Sequence, residues 1–354
     1  MKRLSPICLF LLLPLLLSSC RLTGRSEPEQ VYMVSSVGFD RAGSGEFLLS
    51  VEVPLTRESE SEKMETKLFT GAGNTVEEAL RRVTEGLAKE LIFSHCALMV
   101  LGDGLSREQL EAVFDFVGTG TSLPLAAQVV AAPSAEALLP GGSLSTPAAG
   151  YDIPGILKRV SGILGLDIRC KIYELRANAT PDQPVVLPYF QAAGEDAPQA
   201  ALFSGLQILR AQMPPVSLSP EESVYYAMLA GRYIGDNGSP GGLFGAELQR
   251  VRSDLRAERT DAGLQLSLSL RMDAIARITP DEIAVLQARM ETGAQELFVR
   301  LQEETGADVF FFAARLAEHQ EELWSQLEPE YDTLVATAGL TVTCRIQAKE
   351  SGNI

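Results

Sequence analysis

Five cysteines and two histidines bound the reactive chemistry open to this chain. Cys20 is the most distinctive of them. It ends the string Leu17-Ser18-Ser19-Cys20, directly behind an apolar run over 7–17 and a basic head at Lys2 and Arg3. A charged head, an apolar core of this length and small residues before a cleavage point make a secretory signal. The run is too short to cross a bilayer as a helix, which takes about 20 apolar residues. The string resembles a bacterial lipobox, in which the thiol is acylated and the cysteine becomes the new N-terminus. Each buried acyl CH₂ contributes about 0.8 kcal/mol, so two or more chains hold firmly where one holds only marginally. Lipidation at Cys20 is therefore the one modified site expected. It would keep everything behind it on the outer face of a membrane.

The other reactive residues form no catalytic set. Ser94 and His95 are neighbours on an expected strand, so their side chains would point to opposite faces and could not form a dyad. His95 then reads as a strand-end or core residue. His319 lies among Glu318, Gln320, Glu321 and Glu322, as on a solvated helix face. Cys96 sits in an apolar run and reads as a buried small hydrophobe. Cys170 and Cys344 are too far apart in sequence for their spacing to argue for or against a bond. No cysteine or histidine pair has metal-ligand spacing. Gly71-Ala72-Gly73 precedes a helix, but no third glycine follows and no lysine with Ser or Thr, so a phosphate loop is not expected. Carboxylate pairs for glycoside chemistry have no support, and Phe310-Phe311-Phe312 reads as packing. No catalytic residue, cofactor or metal is expected.

Composition fits a folded extracytoplasmic body. Hydrophobic residues make up 46% and charged residues 21%, ordinary for a globular chain. The formal net charge is −16, and loss of Lys2 and Arg3 with the leader would make it two units more negative. Such a surface argues against nucleic acid and against adhesion to anionic lipid. Membrane attachment is left to the acyl group.

The elements that would carry these residues follow from period and punctuation. Strands are expected over 31–39 and 47–54 about a glycine turn, then a charged loop at 57–65 and a short strand at 67–71. Thr75 to Glu78 is a capping box before a helix with Val76, Leu80, Val83 and Leu87 on one face. A central strand over 91–101, a second box at Ser106 to Gln109 with its helix, and a strand over 125–132 continue the alternation. After a loop at 140–151 come helices from 153 and from Pro220, the latter capped by Ser219, with a short apolar stretch between prolines at 184–187 and a strand over 202–210. Long strands over 246–258 and 264–277, a box at Thr279 to Glu282, helices to 327 and a final strand over 340–346 complete the chain. The fold class is mixed α/β and α+β. Three domains are expected, each a mixed or antiparallel sheet with helices packed against it. The divisions are a signal peptide over 1–19, a lipid-anchored tether over 20–29, an N-terminal domain over 30–139, a middle domain over 150–235 and a C-terminal domain over 242–354.

Several of these stretches resemble the Ger(x)C family of spore germination lipoproteins, the C subunits of nutrient germinant receptors. Behind the lipobox cysteine, Leu91-Ile92-Phe93-Ser94-His95 and Leu98-Met99-Val100-Leu101-Gly102 are similar to the family's Phe-Ser-His strand and its Gly-ended apolar run. Asp115-Phe116, then Phe203-Ser204-Gly205 through Leu209, and 218–222 follow in the family's order. Gly306-Ala307-Asp308-Val309-Phe310 and Trp324 resemble its Asp-containing helix start and its aromatic, and Gly352 closes the pattern. Tyr331 stands where the family usually has tryptophan, 347–350 lacks the family's basic run, and 235–242 fits it poorly. The resemblance implies a non-enzymatic subunit of three mixed α/β domains. It implies a place on the outer leaflet of the spore's inner membrane, beside a membrane-embedded A-type subunit and a transporter-like B-type subunit. It lends no catalytic or ligand-binding residues. The competing expectation from the residues is a solute-binding lipoprotein that hands a small ligand to a transporter, since a multi-domain α/β body can enclose a cleft.

Overall fold

The computed structural model describes residues 31–55, 65–119, 123–140, 148–168, 170–178, 183–192, 201–210, 213–235, 243–261, 263–275 and 279–349. Cys20, the expected leader and tether, the charged loop over 57–64, most of the 140–151 loop, the 236–242 break and Gly352 lie outside these residues.

An eight-stranded mixed sheet forms the larger part. Its strands are β2 (Ser36–Arg41), β3 (Phe47–Pro54), β4 (Thr66–Gly73), β6 (Leu98–Gly102), β7 (Gln128–Ala132), β8 (Val185–Ala192), β9 (Ala201–Leu209) and β10 (Val216–Leu218). They run in the order β10-β9-β8-β7-β6-β2-β3-β4. The central links β2–β6, β6–β7 and β7–β8 are parallel, and antiparallel strands flank them on both sides. A separate parallel pair joins β1 (Val31–Met33) to β5 (Glu90–Ile92).

The central strands are buried on both faces, which explains why β6 and β7 read as continuous apolar runs rather than alternating ones. Met99, Leu101, Val129 and Ala131 point into one core with α1 (Val76–Glu85), α2 (Arg107–Thr119) and α5 (Ile172–Asn178). Leu98, Val100, Val130 and Ala132 point into the other, with α3 (Ala135–Leu138) and α4 (Ala149–Leu164).

The remainder is built on a three-stranded sheet, β11 (Glu247–Thr260), β12 (Gly263–Ile275) and β13 (Gly339–Lys349), with β11 antiparallel and β13 parallel to β12. Leu264, Leu266, Leu268 and Leu270 face a core covered by the long helix α7 (Pro280–Thr305). The polar alternates Gln265, Ser267, Ser269 and Arg271 fall on the opposite face. Helices α8 (Phe312–His319), α9 (Glu321–Leu327) and α10 (Tyr331–Val335) complete this part.

Helix α6 (Pro220–Leu229) joins the two parts. Every residue from Ser223 to Leu229 is buried, the pattern of a helix packed all round. It shares one core with Leu206, Ile208 and Leu218 of the large sheet and with β12 and α7 of the small one. Tyr226 donates its hydroxyl to the Val309 carbonyl at 2.8 Å, and Glu221 and Glu222 pair with Arg289 and Arg300 on α7.

Mixed α+β architecture is as expected from the sequence, and the expected helix starts at Thr75, Ser106, Ser219 and Thr279 all form. At Ser106, Ser219 and Thr279 the Ser or Thr side chain and the third helical side chain exchange hydrogen bonds with backbone N–H groups. At Thr75 the box is shifted, because Glu78 accepts from the Asn74 N–H. Several elements differ from expectation. The strand expected over 91–101 is two strands, β5 and β6, separated by a turn closed by the Cys96 N–H on the Phe93 carbonyl. A strand buried on both faces has no place for Ser94 and His95, and the turn turns both to solvent. The helix expected over 309–327 bends at Gln320, whose side-chain oxygen accepts from the Ala257 N–H of β11 and holds the corner against the sheet. Helices α5 and α10 and strand β10 have no expected counterpart.

Candidate functional site

The reactive residues singled out in the sequence do not converge. Ser94 and His95 occupy the exposed turn between β5 and β6, so the strand geometry used to separate them does not apply, and His95 is no core residue. His319 ends α8 and is exposed. Cys96, Cys170 and Cys344 are free and buried, and burial pushes each thiol up to about 12. Cys170 belongs to the large-sheet core and Cys344 to the small-sheet core, its Sγ against Met290 Sδ at 3.5 Å. Gly71 and Gly73 lie in β4, not in a loop. A Cβ on Gly71 would stand 2.5 Å from the Ala79 carbonyl of α1, so these glycines allow close helix–strand approach. Phe310 and Phe312 pack with Phe298, as expected. Phe311 instead holds a left-handed backbone at φ 59° with the Arg232 guanidinium over its ring. Among the described residues no group of three or more His, Cys, Asp and Glu could hold a metal, and no helix is long and apolar enough to cross a membrane.

What the structure does gather is a set of inward-facing carboxylates. Glu52 of β3 is 1% exposed. It accepts from the Ser35 and Ser36 hydroxyls and from the Ala149 and Gly150 N–H groups that open α4. Burial raises its pKa above the usual carboxylate value, against the pull of those four donors. Asp40 at the end of β2 accepts from the Ala135 and Glu136 N–H groups of α3. Asp308 accepts from the N–H groups of Phe310, Phe312 and Ala313 and from the Tyr331 hydroxyl. Burial raises its pKa and that of Tyr331.

A fourth carboxylate, Asp103, faces a cleft. It follows Gly102, the last residue of β6, and is positioned by its own N–H on the Ala132 carbonyl of the parallel neighbour β7. Tyr189 of β8 donates to one of its oxygens at 2.7 Å and Gln207 of β9 to the other at 2.8 Å. Burial and the adjacent carboxylate hold the Tyr189 hydroxyl above the phenol range, so it remains a donor. The cleft between α2 and the β8–β9 edge encloses about 800 Å³. Its sequence signal was weak, a lone Asp between glycines at a strand end.

Residues 24–190 match the family model described as the spore germination protein N-terminal domain. That stretch contains the large sheet from β2 to the middle of β8, both of its helical layers and Asp103. Over that stretch the chain carries the spore germination protein N-terminal domain. A likeness of fold extends past the matched stretch. The crystal structure of the GerBC protein superposes with a TM-score of 0.54 at 12% sequence identity, covering 88% of this chain and 96% of that one. At that identity the likeness is one of fold. No curated protein matches the sequence.

Proposed function

We propose that this protein is a Ger(x)C-type, lipid-anchored, non-enzymatic subunit of a spore nutrient germinant receptor. The match of 24–190 to a spore germination domain carries the reading. The lipobox ahead of that domain supports it, as does the scatter of the reactive side chains over unrelated surfaces. On this reading acyl chains on Cys20 hold the body to the outer leaflet of the spore inner membrane. The body acts there by contact with membrane-embedded A-type and B-type subunits, without turning over a substrate.

The test uses spores that depend on this receptor alone, with release of the spore core's dipicolinic acid after nutrient addition as readout. Deletion of the gene is expected to abolish release, and Cys20→Ala to weaken or abolish it while freeing the protein from the membrane fraction. Normal release from the deletion strain would refute the receptor role. Loss in the deletion strain with normal release from Cys20→Ala would keep the role and remove the lipid from it.

A further inference from the structure

We infer that the cleft headed by Asp103 binds a small organic ammonium ion, a primary amine with a compact apolar body. This site is independent of the receptor assignment. Its volume of about 800 Å³ lies in the range of small-molecule sites. It lies between α2 and the strands β8 and β9, with the carboxyl end of β6 at its floor.

The recognition chemistry sits on the floor. Asp103 is fixed through both oxygens, but the donors, Tyr189 and Gln207, are neutral, so its charge is not balanced by them. Among the described residues no lysine, arginine or histidine forms an ion pair with Asp103. Each carboxylate oxygen can accept a second hydrogen bond. Gln207 must turn its amide nitrogen toward Asp103, which leaves its Oε1 buried beside the carboxylate with no donor. A buried acceptor left in that state is costly. An –NH₃⁺ group brings three donors and a positive charge, matching the open acceptor positions of the two carboxylate oxygens.

The surroundings favour a cation with an apolar tail. The ionisable side chains on the lining are Asp103, Glu108, Glu111 and Asp115 against Arg107 and Arg210. Arg107 is engaged by Glu111 at 2.7 Å, and Arg210 donates to the Thr305 carbonyl at 2.9 Å. Leu105, Leu110 and Phe114 on one side and Val185 and Leu209 on the other supply the apolar walls.

Calorimetry and saturation-transfer NMR on the full chain in detergent, with n-butylamine, n-butanol and butyrate as probes, test the site. Saturable binding of butylamine is expected, about tenfold or more tighter than butanol, with butyrate silent. Asp103→Asn should weaken butylamine about tenfold or more, and Leu110→Trp, which fills the cleft while leaving Asp103 in place, should abolish binding. Both variants are compared with wild type by circular dichroism, and should one fail to fold the other decides. No saturable response to butylamine, equal affinity for butanol, or full binding by a folded variant would each overturn the inference. Germination of the spores does not enter the readout, so this failure and failure of the receptor reading are distinguishable.

Discussion

Helices α4 and α8 begin at residues that cannot cap them, Ala148 and Phe311, and neither makes a side-chain cap bond. Glu52, from a strand nearly a hundred residues earlier, caps the first, and Asp308 caps the second from just outside the helix. Each satisfies backbone donors that would otherwise be orphaned at a buried helix end. Asp308→Ala removes three backbone contacts and the Tyr331 bond, and is expected to cost about 2–4 kcal/mol. Urea unfolding followed by Trp324, the single tryptophan, packed at 5.0 Å from the Tyr331 ring, measures it. For Glu52, burial raises the native pKa above 4.5, so between that value and the native pKa the folded state holds more protons than the unfolded one. The group's contribution is therefore full below pH 4.5 and is lost as pH rises through the native pKa. The stability difference between wild type and Glu52→Gln should shrink over that window and then level off, as read from urea midpoints between pH 4 and 8. Cys96, Cys170 and Cys344, with thiols pushed up to about 12, should resist iodoacetamide at pH 8 in the native protein and react on unfolding, by peptide mass.

At the scale of elements, the close seat of α1 on β4 depends on Gly71. Gly71→Ala would drive a methyl into the Ala79 carbonyl and the Val83 amide, neither of which can swing away. A loss of about 1–3 kcal/mol is expected in thermal or urea unfolding. Most elements were legible before the structure because their signals are local. Thr75, Ser106, Ser219 and Thr279 mark helix starts within four residues, and the leucines of β12 alternate cleanly. The turn at Ser94 and His95 and the bend at Gln320 were not legible, since each is imposed by a distant partner. A doubly buried sheet excludes the first, and an amide of β11 holds the second. The carboxylates were half-legible. Glu52 stands out as a charge inside an apolar strand, but nothing nearby names Ala149 and Gly150 as its donors. Asp103 gave almost no signal, because Tyr189 and Gln207 reach it from strands about ninety and a hundred residues later.

Across the whole molecule, α6 makes one core out of elements from both sheets. Its burial on every side ties the outer strands of the large sheet to the long helix of the small one. The chain as a whole carries a formal net charge of −16. The Cys20→Ala chain should therefore remain in the supernatant when spun with vesicles of phosphatidylglycerol at low salt, and cosedimentation would contradict that reading.

The first described strand also sets a distance. Val31 is pinned beside Glu90 by the parallel pairing of β1 with β5. If Cys20 is acylated as proposed, roughly 11 residues separate lipid from fold, a span of at most about 40 Å when fully extended. The β1–β5 corner would thus move within a hemisphere of that radius, and no partner surface further out could reach this corner.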